Sequence, residues 1–184
     1  MKILIAQKLR MTRIFNAEGE EIAVTALKSK LTEVFKLKNS ESDGYEAIKV
    51  KVANRKINKF TEFVGTSDLY TNISSLVDVD KFSIGDEIKI IGTSKGKGFS
   101  GTIKRYHFAQ GPKSHGSNQQ RRLGSIGAGY PQRVQKDQKM PGRMGGKQVT
   151  VKNLKIIDID KEKQIILVSG AVPGPVGSQV KVIG

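Results

Sequence analysis

The sequence contains no cysteine, which excludes disulfides, thiolate metal sites and thiol nucleophiles and suits a reducing compartment. Tryptophan is absent, aromatic residues make up 6% of the chain, and histidine occurs only twice, at His107 and His115. Two histidines with no thiolate beside them do not complete a zinc ligand set, so no metal is expected. Long apolar runs are missing as well. Met1-Lys-Ile-Leu-Ile-Ala6 is too brief for a signal-peptide core, and no segment approaches the roughly 18 apolar residues that span a membrane. A soluble, cytoplasmic protein is the expectation. Carboxylates are absent from residues 93–136. General acid–base chemistry usually needs a carboxylate or histidine held in a cleft, so no catalytic residue, no cofactor and no small-molecule substrate are expected, and the chain is not read as an enzyme.

What the sequence has in excess is positive charge. Its 184 residues include 32 Lys and Arg against 17 Asp and Glu, a formal charge of +15 that attracts polyanions. The charge is concentrated. Residues 93–150 carry twelve cations, Lys95, Lys97, Lys104, Arg105, Lys113, Arg121, Arg122, Arg133, Lys136, Lys139, Arg143 and Lys147, against Asp137 as the only acid, which is +11 of the total. The same stretch holds 11 of the 20 glycines and no sustained hydrophobic period, so it is expected to extend outward without a core of its own.

The flanking residues read differently. Ile48, Val50 and Val52 alternate with Lys49 and Lys51, the period-two pattern of a half-buried strand. Similar runs occur at 21–27, 31–38, 87–91, 149–159 and 164–169, several of them separated by turn chemistry at 39–44, 83–86 and 160–163. The best helix candidate is 67–80. With a hydrophobic fraction of 37%, one modest core is affordable. These features predict a mainly β fold: a compact β-barrel built from 1–92 and 151–184, with 93–150 inserted between two strands as a long, irregular basic arm. If 87–91 and 149–159 are both strands of that barrel, the arm leaves and returns to the same body.

The residue types of the arm suit a sugar-phosphate surface, because lysine and arginine neutralise phosphates and glycine lets the backbone lie close. The run from Gly92 to Gly101 resembles a phosphate cradle but lacks the Gly-Lys-Ser or Gly-Lys-Thr ending of a nucleotide-binding loop. His107 and His115 suit stacking or donation to phosphate better than catalysis, and Ser114 and His115 are neighbours that point apart on an extended chain. The twelve cations and the two histidines are therefore the expected RNA-binding residues. Midway lies an uncharged tip, Gly124, Ser125, Ile126, Gly127, Ala128, Gly129, Tyr130 and Pro131, small enough to enter spaces that exclude long side chains. Tyr130 is suited to stack on a base and equally suited, with Pro131, to shape a turn. Binding to a membrane surface would need an amphipathic apolar face that this segment does not have.

In order along the chain, Gly92-Thr-Ser-Lys-Gly-Lys-Gly-Phe-Ser-Gly101, Lys104-Arg105, Gly111-Pro-Lys-Ser-His-Gly-Ser117, Gly124-Ser-Ile-Gly127 and Lys139-Met-Pro-Gly-Arg-Met-Gly145 resemble the universal ribosomal protein L3 family of the large subunit, in its bacterial form. The resemblance continues through Leu154, Gly170-Ala-Val-Pro-Gly174 and Gly177-Ser178, and is thinner before residue 92, where Met11-Thr-Arg-Ile-Phe15 and Asp43-Gly-Tyr-Glu-Ala47 carry it. It implies a translation-protein-like barrel with its arm threading large-subunit rRNA toward the peptidyl transferase region. It also implies an early role in assembly, neighbouring ribosomal proteins as partners, and a place in the cytoplasmic ribosome. Arg10, Gln120, Leu123 and Asp137 depart from the family pattern, the last of them from a glycine, and Ala128 stands where many bacterial members carry a methylated glutamine. The chain is short for a bacterial member, with the difference falling within the first 92 residues. The alternative reading from charge alone is a free RNA-binding translation factor or RNA chaperone, which would fold completely without a ribosome.

Overall fold

A computed structural model of the chain describes residues 1–16, 18–53, 59–65, 70, 73 and 75–184. Its strands, in chain order, are β1 (Ile3–Phe15), β2 (Glu21–Ser29), β3 (Thr32–Lys38), β4 (Ala47–Val52), β5 (Lys59–Val64), β6 (Glu87–Thr93), β7 (Phe99–Ser100), β8 (Gly142–Arg143), β9 (Gln148–Asp160), β10 (Ile165–Ser169) and β11 (Gln179–Ile183). The chain divides into two units, one formed by Met1–Ser94 with Gln148–Gly184 and the other by Lys95–Lys147.

In the first unit, six strands close into a ring in the order β1-β11-β6-β9-β10-β2, with β2 pairing back onto β1. Every pairing is antiparallel. The alternation of the sequence explains which side chains go inward. In β6, Ile88 and Ile90 are buried while Glu87 and Lys89 are exposed, and in β11, Val180 and Val182 are the buried pair. Leu4, Leu27, Ile156, Ile166 and Val168 complete the inner layer, while Ile3 and Ile5 join the same core from the opposite face of β1. The ring also requires one glycine for closeness. A Cβ at Gly92 would lie 3.0 Å from the Pro173 side chain and 3.1 Å from that of Val180. A charge enters this interior too, since the Lys8 Nζ donates to the carbonyls of Val172 at 2.6 Å and Gly174 at 3.0 Å.

The runs at 31–38 and 46–53 do form strands, but not in the ring. They become β3 and β4 of a separate three-stranded sheet, β3-β4-β5, whose inner face buries Val34, Ile48, Val50 and Phe63 against the same hydrophobic core. Each such side chain contributes on the order of 1.5–3 kcal/mol, enough to hold a small sheet against the ring without edge pairing between them. Tyr70 ties the two parts together: its hydroxyl accepts from the Ile3 N–H at 3.3 Å and donates to the Ile3 carbonyl at 3.0 Å. Much of the helix expected over 67–80 lies outside the described residues. Those described there include one short 3-10 turn, Val79–Lys81, and residues 75–78 are not helical.

The expected turns are present. Ser40–Asp43 makes one helical turn that ends on Gly44 at φ 77°, in the left-handed region that glycine enters without a steric penalty. At 83–86 the Asp86 carboxylate accepts from the Ser83 N–H at 2.9 Å and pairs with Lys2, and these contacts, the Lys2 bond foremost, hold its carboxyl below the usual range. The feature that matters most for function is a register. β6 pairs with β9 so that Thr93 lies opposite Gln148. Residues 94–147 therefore depart from and return to neighbouring positions on one sheet.

Candidate nucleic-acid interface

The second unit, Lys95–Lys147, has little regular structure. It contains the two-residue strands β7 and β8, paired Phe99 to Arg143 and Ser100 to Gly142, and one helical turn, Thr102–Tyr106. Its only buried residues among those described are Ser100 and Thr102, so no apolar core holds it. Backbone contacts hold it instead. The Lys97 N–H donates to the Met144 carbonyl at 2.9 Å, and the Met144 N–H donates to that of Gly98 at the same distance. Farther along, the Gly111 N–H donates to the Gln120 carbonyl at 3.0 Å.

Glycine permits these approaches, and here the structure amends the reading from sequence. At Gly111 and Gly145 the close neighbour is the chain itself. A Cβ at Gly111 would lie 2.9 Å from the Gln119 carbonyl oxygen, and one at Gly145, where φ is 72°, would overlap the Lys95 carbonyl. At Gly96, Gly98, Gly101, Gly116, Gly124, Gly127 and Gly129 an added Cβ would meet nothing within 4 Å, so those positions leave the backbone open to an outside surface.

Of the expected RNA-binding side chains, Lys95, Lys97, Lys104, Lys113, Arg121, Arg122, Arg133, Lys136, Lys139, Arg143, Lys147, His107 and His115 are all exposed. Arg105 is the exception, being half-buried. Its Nη1 donates to the Met140 carbonyl at 2.7 Å, and its guanidinium carbon lies 4.9 Å from the centre of the Tyr106 ring. Lys139 approaches the same ring at 5.7 Å, so Tyr106 gathers cations from both limbs of the unit. Each contact of this kind is worth about 0.5–1 kcal/mol at an exposed site. The sequence reading missed Tyr106 and treated Arg105 as one cation among many. The available signal was their adjacency, although their partners Met140 and Lys139 lie some 35 residues away.

No ion pair within the described residues involves Lys95, Lys97, Lys104, Arg105, Lys113, Arg121, Arg122, Arg133, Lys136, Lys139 or Arg143. Ion pairs such as Lys36 with Asp43 at 2.8 Å and Lys38 with Glu62 at 3.1 Å lie in the first unit. Eleven uncompensated cations on a coreless unit favour bringing a polyanion to it.

The tip is exposed from Gly124 to Tyr130, with Tyr130 at 84%. The Ser125 hydroxyl donates to the Gly127 carbonyl at 3.0 Å. Positive φ falls on both Gly124, at 78°, and Gly127, at 158°, conformations that residues with a Cβ rarely adopt. Asp137, one of the departures from the family pattern, sits at φ 64°. Aspartate tolerates that region better than most residues.

A family model described as ribosomal protein L3 matches residues 47–167, well over half of the chain. The chain belongs to the ribosomal protein L3 family. Among relatives named large ribosomal subunit protein uL3, that of Natranaerobius thermophilus is 39% identical over 201 aligned positions, covering 99% of this chain and 96% of its own length. The corresponding protein of Exiguobacterium sibiricum is 40% identical, with 98% and 96% covered, and that of Herpetosiphon aurantiacus is 41% identical, with 93% and 90% covered. The first alignment is longer than the 184 residues here, so that L3 protein carries residues opposite gaps in this chain.

Proposed function

We propose that this L3-family chain is a non-enzymatic, structural constituent of the large subunit of the cytoplasmic bacterial ribosome. The first unit serves as a translation-protein-like barrel, and the expected arm, narrowed from 93–150 to Lys95–Lys147 because Thr93 and residues 148–150 belong to β6 and β9, penetrates large-subunit rRNA. Neighbouring large-subunit proteins are its other partners, and it supports subunit assembly. The observation that carries the reading is the +11 charge of a segment whose cations, Lys147 apart, lack ion pairs within the described chain. Such a segment gains order from phosphates that it cannot gain from a core. Its uncharged tip, Gly124–Pro131, reaches toward peptidyl transferase RNA and supports nucleotide positions by filling a confined space.

The tip offers a direct test. A Cβ at Gly127 meets nothing within 4 Å in the protein, and the strain of a side chain at its φ of 158° would fall on an exposed tip with no core, so Gly127→Trp should leave the free protein folded. In large subunits the indole would collide with packed RNA, lowering subunit yield or slowing single-turnover peptide transfer. Arg122→Ala should instead weaken RNA attachment by loss of charge, and the difference from the parent should shrink as salt is added. Normal assembly and transfer by Gly127→Trp subunits would show that the tip is not confined by RNA.

A further inference from the structure

Outside the basic segment, the open face of the β3-β4-β5 sheet carries an arrangement that packing does not require. Phe35 and Phe60 lie beside each other there, ring centres 4.9 Å apart and tilted by 60°, each 48% exposed. The core is made by the opposite face, through Val34, Val50 and Phe63. Phe35 stands at the irregularity in β3, between the paired residues Val34 and Lys36, so it is an inserted residue with no partner across the strand. Lys49, on the central strand, reaches over both rings, its Nζ 5.2 Å from the centre of Phe60 and 5.8 Å from that of Phe35.

The surrounding charges indicate what the rings are for. Lys49 lies directly opposite Lys36 on one side, a like-charge cross-strand pair, and opposite Glu62 on the other. Lys51 lies on the same face between Phe60 and Glu33. Lys36 and Lys38 are engaged by Asp43 and Glu62, whereas Lys49 and Lys51, although each faces a carboxylate across the sheet, make no ion pair among the described residues, which leaves two ammonium groups beside two exposed rings. Exposed aromatic faces set among lysines on a sheet are the physical requirement for holding single-stranded nucleic acid. The rings accept any base by stacking, and the cations meet the flanking phosphates. A protein partner fits less well, because lysine is depleted from the centre of protein–protein interfaces and two lysines occupy this centre.

We propose that this sheet face is a second RNA-contact surface, separate from residues 93–150, on which an unpaired base stacks against Phe60 and Phe35 while Lys49 and Lys51 hold its phosphates. The proposal rests on the reading of the chain as an rRNA-bound protein, but it concerns different residues and can fail independently. The full-length chain is titrated with a uridine octamer RNA carrying one 2-aminopurine, in the presence of excess abasic octamer to occupy sites that recognise charge alone. Phe60→Leu, which keeps an apolar side chain but removes the aromatic face, should weaken octamer binding about tenfold. It should also abolish the quenching of 2-aminopurine and leave the affinity of the abasic octamer unchanged. Phe60→Trp should restore both signals, and Phe35→Leu should weaken binding in the same direction. Unchanged octamer affinity in Phe60→Leu overturns the proposal, whether the variant only melts earlier, which would make the rings sheet packing, or yields subunits lacking a neighbouring protein, which would make them a protein contact. Equal losses for the octamer and the abasic octamer also overturn it. Arg122→Ala supplies the separate control: if it lowers neither affinity, the reading of residues 93–150 as the RNA-binding segment fails, and the Phe60 result is judged on its own.

Discussion

Lys8 places an ammonium group in the interior of the ring at 7% exposure, held by the carbonyls of Val172 and Gly174. The backbone repeats the link, with the Lys8 N–H donating to the Ser178 carbonyl at 2.8 Å and the Gly177 N–H donating to that of Lys8 at 2.7 Å. The loop so held packs on the end of β6, since a Cβ at Gly174 would lie 3.0 Å from the Thr93 carbonyl oxygen. One side chain thus fixes the loop that abuts the point where the basic segment departs. Lys8→Met keeps the length of the stem but removes the donor, leaving buried carbonyls unsatisfied, and should destabilise the protein by about 2–3 kcal/mol. Thermal unfolding of the full-length chain measures this, and a drop in Tm of roughly 5–10 °C is expected for a protein of this size. An unchanged Tm would mean that another donor replaces the ammonium. Nothing in the local sequence around Lys8 marks it as buried, because its partners lie more than 160 residues away.

At the scale of elements, alternation identified strands where the inward residues were β-branched and the turns were explicit, as in β4, β6 and β10. It did not identify which strands would pair. The runs at 31–38 and 46–53 carry the same pattern as the ring strands, and their separation into a second sheet depends on long-range register that no local window contains. β5 was not recognised because Phe60 and Val64 are exposed while Thr61 is half-buried, so its apolar residues, spaced three and four apart, do not follow the strand period. β11 is only five residues long and follows a stretch rich in glycine and proline. In the candidate interface the exposed cations were legible from charge alone. The inward turn of Arg105 and the self-contacts at Gly111 and Gly145 were not, since each needs the returning limb. The pairing of Thr93 with Gln148 leads to an expectation of its own: replacing 95–147 by a short Gly/Ser linker should leave a cooperative thermal transition. The strand ends to be joined are already neighbours, and the cost of closing a loop rises only slowly with its length. A broad, non-cooperative melt would show that the excised residues belong to the folding unit.

The whole molecule is electrically lopsided, with +11 of its +15 confined to residues 93–150. If about eight of those cations meet phosphates, log affinity for large-subunit RNA against log salt should slope by roughly −6 to −7. The slope is measured by titrating the full-length chain with that RNA at several salt concentrations, and a shallow slope would reassign the affinity to contacts other than phosphate. The same layout also sets an order of events during synthesis. β6 leaves the translating ribosome before the basic segment, whereas its ring partner β9 follows it, so the β6–β9 seam cannot form until all 54 intervening residues have been made. At roughly 5–20 residues per second this delay lasts about 3–11 seconds. For that interval the nascent chain presents a finished, strongly cationic stretch on an unfinished ring, so an RNA or a chaperone that recognises positive charge can reach this chain before its fold is complete.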